Sequence, residues 1–528
     1  MFAGVATCRF RRCNPGELFR SAGWHENVTE ELTLPDYHGS FEYNAASGLL
    51  QQQGECRVQV ETELLTVSPD LGTPIVFDLG DIDAVHPERF QVRLVLYTGA
   101  ILALKQMGRD LDRFVGELMT KFRDRTAKCL LVGDLEEVDR FQGSFQLDKV
   151  VKKCASCGAA TTWSKFCPQC GKPTQLELSS SMKCPGCGAN VQGKNFCPEC
   201  GNALHANAAT TSHGGAAEFR LYRSNLAVLA TDSQSFSWRL AELDAVQADT
   251  KTYQVVLESG TAALRIQELG KRTEEFARKV KETANTLLAE SSKALHTAFP
   301  FLNPDQLQRV SQMLREGGTA PVTQLNAVHP QMGRALERNA VDAALKPYYD
   351  ALVQRSAPGP LYAGFKIIRP EDRESLFVEQ QDDGTESAGA QDVEAAPDAD
   401  DAGPETLYWF FFAIAGKNLV AWEASSKSGR ATYFFRLFDG NEAVRLKDPA
   451  AIETSIRRLN RVLGMLNFRR RPIYLQDEEL ECDPRFHRYA IAARRIPELR
   501  QVRSSFVGRA MHNSMESWST QIEKLLTG

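Results

Sequence analysis

The chain lacks any apolar run near the ~18–20 residues that span a bilayer as a helix. Its greasiest stretch, Leu407–Ala415, stops at Gly416-Lys417. It has no excess of positive charge: 62 Lys and Arg stand against 67 Asp and Glu, a net −5, which argues against a wholesale polyanion binder. Its nine histidines are scattered and form no His-Glu-x-x-His, and Gly-x-Ser-x-Gly is missing too, so two common hydrolase signatures are absent. The first residues lack the charged-then-apolar order of a secretory signal. The expectation from these absences is a soluble, cytoplasmic protein that is not an enzyme. What is present is ordinary for globular chains: 528 residues, 43% hydrophobic and 24% charged, enough for three to four domains at roughly 150 residues each.

Cysteine is concentrated. Of 13 cysteines, eight form four Cys-x-x-Cys-Gly turns: Cys154/Cys157, Cys167/Cys170, Cys184/Cys187 and Cys197/Cys200. Such a turn aims two thiolates at one ion, and the following glycine allows the positive φ that it needs. Two turns supply the closed tetrahedral thiolate set of a structural zinc site. The second unit copies the first at a period of 30, with ten of nineteen positions identical between 153–171 and 183–201. The pattern resembles a double zinc ribbon. That implies two structural Zn2+, one on Cys154, Cys157, Cys167 and Cys170, the other on Cys184, Cys187, Cys197 and Cys200. Iron fits the same ligands, and zinc is preferred on frequency. A fully thiolate site has no open position for water, so hydrolytic zinc chemistry is not expected.

The ribbon module is not basic. Six lysines and two glutamates between 151 and 204, with eight thiolates and two zinc ions, leave it about neutral. Phosphate contacts need net positive surface, so protein docking or rigid spacing is the expected use. Gly188-x4-Gly193-Lys194 mimics a phosphate-binding loop, but Asn195 stands where Ser or Thr must bind magnesium.

An internal repeat organises the first half. Residues 58–99 align with 219–260 at a constant offset of 161, and Leu79-Gly-Asp-Ile-Asp-Ala-Val85 matches Leu240-Ala-Glu-Leu-Asp-Ala-Val246. Period-two alternation reads as strands, and each copy ends in helical spacing: Leu111, Phe114, Val115, Leu118 and Phe122 in one, Phe276, Val280 and Leu287 in the other. Seven short strands closed by one helix are similar to the pleckstrin-homology-like fold; another small α+β module is the alternative.

Gly39-Ser40-Phe41 matches Gly143-Ser144-Phe145 at an offset of 104, so the second copy carries 57 extra residues between its first two strands. The ribbons are expected to be an insertion in that hairpin loop. Pleckstrin-homology domains that bind phosphoinositides use basic residues around this loop. The first copy has none over Asn44–Gly54, and the second fills the loop with ribbons, so phosphoinositide binding is disfavoured.

The fold class is therefore α+β and multidomain. It comprises a first β domain at 36–128, a second at 140–290 interrupted by the ribbons at 151–203, a helical region at 291–358, and a C-terminal α+β domain at 359–528. Residues 379–405 hold ten acidic residues and no basic ones and are expected to be a disordered acidic loop. Strands are expected at Leu361–Ile368, Leu407–Ala415, Leu419–Ala424, Thr432–Phe438, and near Ile473 and Tyr489, with a helix near Ala451–Leu466. Residues 451–510 hold thirteen arginines against seven acidic residues, and Arg469-Arg470-Arg471 is the best nucleic-acid candidate. Solvated faces and internal salt bridges are the simpler use of these arginines. The functional expectation is a non-enzymatic, zinc-binding scaffold or adaptor for protein partners. The alternatives are a nucleic-acid-associated factor and a regulatory subunit of an enzyme complex.

Overall fold

Hydrophobic alternation from Tyr37 onward is resolved into curled antiparallel sheets in the computed structural model. It describes residues 35–132, 135–149, 152–153, 160–161, 211–259, 262–369, 406–414, 417–425, 431–437, 449–483 and 485–527. The first unit has seven strands: β1 (Tyr37–Asn44), β2 (Leu50–Val60), β3 (Leu64–Pro69), β4 (Ile75–Asp78), β5 (Ile82–Glu88), β6 (Gln91–Leu96) and β7 (Ile101–Lys105). Their order in the sheet is β4-β3-β2-β1-β7-β6-β5. Helix α1 (Leu111–Cys129) closes it, burying Phe114, Leu118 and Phe122 against Val58, Leu65 and Leu94. Burying each such side chain contributes roughly 1.5–3 kcal/mol.

The second unit repeats the order. After β8 (Glu137–Lys149) come two short strands, β9 (Lys152–Lys153) and β10 (Ala160–Thr161). Then follow β11 (Thr211–Tyr222), β12 (Asn225–Ala230), β13 (Phe236–Arg239), β14 (Ala245–Asp249), β15 (Gln254–Ser259) and β16 (Ala262–Gln267), in the sheet order β13-β12-β11-β8-β16-β15-β14. Helix α2 (Thr273–Ala298) closes this sheet through Phe276, Val280 and Leu287. Gly143 lies opposite Ala217 as Gly39 lies opposite Cys56, and Lys149 pairs with Thr211 at the far end of the β8–β11 hairpin. Residues 150–210 therefore depart from and return to one hairpin end.

The gapless offset of 161 does not hold throughout. Val85 pairs with Leu94, whereas Val246 pairs with Leu257, so Leu257 is the counterpart of Leu94 and not of Leu96. Two extra residues lie in the β14–β15 loop. A slip of two preserves which side chains face inward, so the hydrophobic pattern conceals it.

The third unit is built on β17 (Thr319–Pro321), β18 (Leu361–Ile367), β19 (Thr406–Ala413), β20 (Leu419–Ser425), β21 (Ala431–Arg436) and β22 (Phe506–Met511), an antiparallel sheet in chain order. This simple meander differs from the order of the first two sheets. Helices cover both of its faces. Against one lie α2's last turns with α3 (Pro304–Met313), α4 (Val322–Val328), α5 (Met332–Ala340) and α6 (Lys346–Ser356), all belonging to the core that holds Tyr408, Phe410 and Phe412. The other core holds Leu407, Trp409 and Phe411 together with α7 (Pro449–Met465), α8 (Arg471–Tyr474), α9 (Asp477–Cys482), α10 (His487–Arg495) and α11 (Pro497–Ser505). Helix α12 (Met515–Thr527) returns Trp518 and Ile522 to the first of these cores. Burial on both faces explains why 407–413 reads as an unbroken apolar run instead of an alternation.

Two expectations are corrected here. The helical region 291–358 is not separate from the C-terminal domain, because its helices and β17 complete that domain's sheet and core. The strands expected near Ile473 and Tyr489 are helices α8 and α10. Tyr489–Ala493 is buried throughout, and periodicity does not separate a short buried helix from a strand.

Candidate functional site: a repeated turn and a basic cleft

The motif shared by the two copies forms the same local structure in each. Leu79–Asp81 and Leu240–Glu242 are single 3-10 turns leading into β5 and towards β14. Both turns are gripped by arginines of the third unit, position for position. In the first copy Arg495 donates from Nε to the Gly80 carbonyl (2.7 Å) and from Nη2 to the Ile82 carbonyl, with Asp83 3.9 Å away. In the second copy Arg315 donates from Nη1 to the Ala241 (3.4 Å) and Leu243 (3.1 Å) carbonyls and from Nη2 to Asp244 (3.4 Å). A second arginine pairs with the acid of each turn: Arg494 with Asp81 at 2.5 Å and Arg461 with Glu242 at 2.9 Å. A planar fork suits this joint reading of two carbonyls and a carboxylate.

The position before the turn differs in charge. Asp78 caps Gly80 N at 2.6 Å, forms a two-point pair with Arg125 of α1, and lies 3.3 Å from His487 Nε2 of α10. Its counterpart is Arg239, which donates to the Gly317 carbonyl at 3.1 Å. Arg239 sits against two glycines of the third unit. A Cβ at Gly464 would stand 2.5 Å from its Nη1, and one at Gly317, where φ is +70°, would collide with Nη2. Behind it, Trp409 donates to Asn460 (2.9 Å), which donates to the same Gly317 carbonyl (2.8 Å).

Burial alone would push Asp78 up, but His487, Arg125 and the Gly80 amide outweigh it and hold the carboxyl at about 2. Asp78 therefore contributes stability above its unfolded value of about 4, and that contribution is lost as pH falls towards 2. Its hydrogen bond to Asp78 raises His487 above the usual histidine value, against the effects of burial and Arg125. The His487 contribution is thus complete below about pH 6.5 and is lost as pH rises through the folded value. We expect the melting temperature of the protein to fall between pH 6.5 and 9, and His487→Gln to flatten that fall. Scanning fluorimetry across this range tests it; equal slopes in both proteins would remove His487 as the source.

The three units meet on α1. Arg220, almost fully buried, pairs with Asp124 of α1 at 2.7 Å and with Glu218 at 2.5 Å. Ala127, Leu130 and Val132 share a core with Ala227 and Leu229 of the second unit and with the third-unit helices.

Between the second and third units lies a cleft of about 140 Å³. Its wall includes Arg369, which pairs with Glu316 (2.7 Å) and Glu290 (3.0 Å), and Arg223, which pairs with Glu290 at 2.8 Å. Burial would raise Glu290, but the arginines outweigh it and hold its carboxyl below the ordinary value.

Arg469 lines this cleft and contacts the Tyr489 hydroxyl. Arg470 and Arg471 lie elsewhere, over the rings of Tyr433 and Phe486, both at 5.7 Å. The expected arginine cluster is therefore divided among three internal aromatic contacts. Cys154, Cys157, Cys167, Cys170, Cys184, Cys187, Cys197 and Cys200 lie outside the described residues, as does the acidic loop 379–405. Among the described residues no group of three or more His, Cys, Asp and Glu could hold a metal, and no helix is long and apolar enough to cross a membrane.

Thr432 donates to Glu423 (2.7 Å), accepts from Trp518 Nε1 (3.0 Å) and lies 3.0 Å from His512 Nε2. Thr432 and Glu423 are fully buried, so the hydroxyl is shielded from any substrate and the network joins β20 and β21 to α12. Sequence reasoning missed Arg315, Arg461, Arg494 and Arg495. The repeat marked the turns they hold, but nothing in the chain marked which of many arginines would reach them.

No protein-family model matches the chain, and no curated protein does. A solved structure, the pleckstrin homology (PH) domain of USP37, matches 17% of this chain and 97% of its own length, at 17% identity and a TM-score of 0.15.

Proposed function

We propose that this protein is a non-enzymatic, zinc-binding scaffold whose two β units are pleckstrin-homology-like and whose ribbons dock a protein partner. The observation that carries the reading is the clamp geometry: one repeated turn is held twice by arginine forks, which welds both β units to the third. A rigid platform of this kind suits a module that must be presented at a fixed position. The β8–β11 hairpin, whose end spans Lys149 and Thr211, is where the cysteine-rich segment leaves and returns.

The zinc reading rests on the four Cys-x-x-Cys-Gly turns of the sequence. β9 and β10, which flank Cys154 and Cys157 in the sequence, pair antiparallel, Lys153 opposite Ala160 and Lys152 opposite Thr161. Two Cys-x-x-Cys turns supply the four thiolates of a closed structural zinc site. The purified protein should carry two zinc ions by elemental analysis. Cys157→Ser should lose one and leave the melting transition of the β units in place; loss of both ions would refute independent sites.

The docking reading is tested by capturing the intact tagged protein from its native cells, with nuclease, and cross-linking before mass spectrometry. A stoichiometric protein cross-linked to residues 151–203 supports the scaffold. Association that disappears with nuclease replaces it with a nucleic-acid role.

A further inference from the structure

We infer that α10 is a proton-operated latch that lets go of the first β unit, and not of the second, as pH rises above neutral. This does not depend on the scaffold reading. Helix α10 turns one face to the first unit, with His487, Ile491, Arg494 and Arg495 at i, i+4, i+7 and i+8. All four meet the short segment 78–83. Arg494 pairs with Asp81, Arg495 reaches the Gly80 and Ile82 carbonyls, and His487 faces Asp78. Ile491 Cδ1 comes so close to Gly80 that a Cβ there would stand 2.9 Å from it. Both nitrogens of His487 face acceptors. Nε2 lies 3.3 Å from Asp78 of the first unit, and Nδ1 lies 3.4 Å from the Glu481 carbonyl of α9. A neutral ring carries one N–H and can donate to one of these; only imidazolium donates to both.

The charges around the ring come from every element packed on it. Arg125 of α1 stands behind Asp78 and opposes a positive ring, but it is shared with Glu63 at 2.9 Å, which also holds Lys128. On α9 the Glu481 carboxylate pairs with Arg494, and before α10 Asp483 pairs with Arg485 at 2.9 Å. Burial raises Asp81 and Asp83 against the pull of Arg494 and Arg495, so their ionisation with rising pH weakens the hold in the same direction. The second copy has no such element. Arg239 stands where the first has Asp78, Ala241 stands where it has Gly80, and Arg315 and Arg461 hold the turn with guanidinium groups that stay charged at every relevant pH. Loss of one proton therefore loosens one unit selectively. Ala127, Leu130 and Val132 at the end of α1 stay in the core shared with the other units and serve as the hinge. Opening uncovers Ile491 and the turn at Leu79–Asp81.

Hydrogen exchange of the full-length protein, read by mass spectrometry from pH 6 to 9, brackets the usual histidine value and tests this. Peptides over 79–85 are compared with those over 240–246 in the same sample, which cancels the intrinsic pH dependence of exchange. Relative to the second turn, the first should lose about fivefold in protection across this range, as for one charge-assisted hydrogen bond that is partly screened by solvent. His487→Gln should show the low ratio already at pH 6 and no further fall. His487→Arg, charged throughout, should also hold a constant ratio. Peptides from β2 and β3 should keep their protection in all three proteins. A constant ratio in the parent, or an equal fall in the parent and either variant, overturns the latch. So does loss of β2 and β3 protection together with the turn, because the unit would then be unfolding and not opening.

Discussion

Arg495→Ala should release the first β unit from the rest of the chain, lowering its stability by about 3 kcal/mol. Only 9% of the Arg495 side chain is exposed, and its fork satisfies the Gly80 and Ile82 carbonyls at once. A hydrogen bond to a charged donor contributes roughly 1.5–3 kcal/mol, and leaving buried carbonyls unpaired adds their desolvation cost. The equivalent Arg315→Ala should cost only about 1 kcal/mol. Arg315 is 35% exposed, its three contacts are 3.1–3.4 Å long, and water can replace it. Urea unfolding should therefore split into two transitions for Arg495→Ala, the first belonging to the first unit, and stay near the parent profile for Arg315→Ala. Limited proteolysis should cut the Arg495 variant first between the units. Arg495→Lys keeps the charge but loses the fork and should fall between. One unshifted transition for Arg495→Ala would refute the clamp as the main tie.

Gly364→Ala should destabilise the third unit by about 3 kcal/mol. Gly364 lies directly opposite Trp409 in the β18–β19 ladder, and the indole covers the space a side chain would occupy. A methyl there would come within 2.5 Å of both Cζ2 and Nε1 of Trp409, which is fully buried. Overpacking a core costs typically 1–3 kcal/mol. Here the ring cannot move without breaking its 2.9 Å bond to Asn460 and, through Asn460, the support of Gly317 against Arg239. Gly116→Ala provides the contrast: it is exposed on α1 with nothing within 4 Å of a built Cβ, so it should stabilise by about 0.5–1 kcal/mol. A thermal shift of similar sign for both variants would contradict the packing argument.

Much of the fold was legible because its signals are local or periodic. Alternation outlined the strands of the first two units, and helical spacing marked Phe114, Leu118 and Phe122 for burial under the first sheet. The matched Gly-Ser-Phe segments located β1 and β8, whose pairing with β2 and β11 is in the same register at Gly39 and Gly143. Other features were hidden for stated reasons. The two-residue insertion in the β14–β15 loop leaves the inward pattern unchanged. The run 407–413 is apolar on both faces, so it did not disclose that helices on either side of 358 would cover it. Arg469, Arg470 and Arg471 are adjacent in sequence but point to three different rings, because neighbouring side chains at a helix start diverge.

By itself, the sequence determined that two copies of one β unit exist, that a cysteine-rich segment interrupts the second, and that Leu79–Val85 and Leu240–Val246 are equivalent. These follow from the chain's own periodicities and need no partner. Only the tertiary structure decided that Arg494 and Arg495 hold the first turn while Arg315 and Arg461 hold the second. Guanidinium side chains are long and chemically alike, so which carbonyl each one reaches depends on the packing of whole units and leaves no mark on the local sequence.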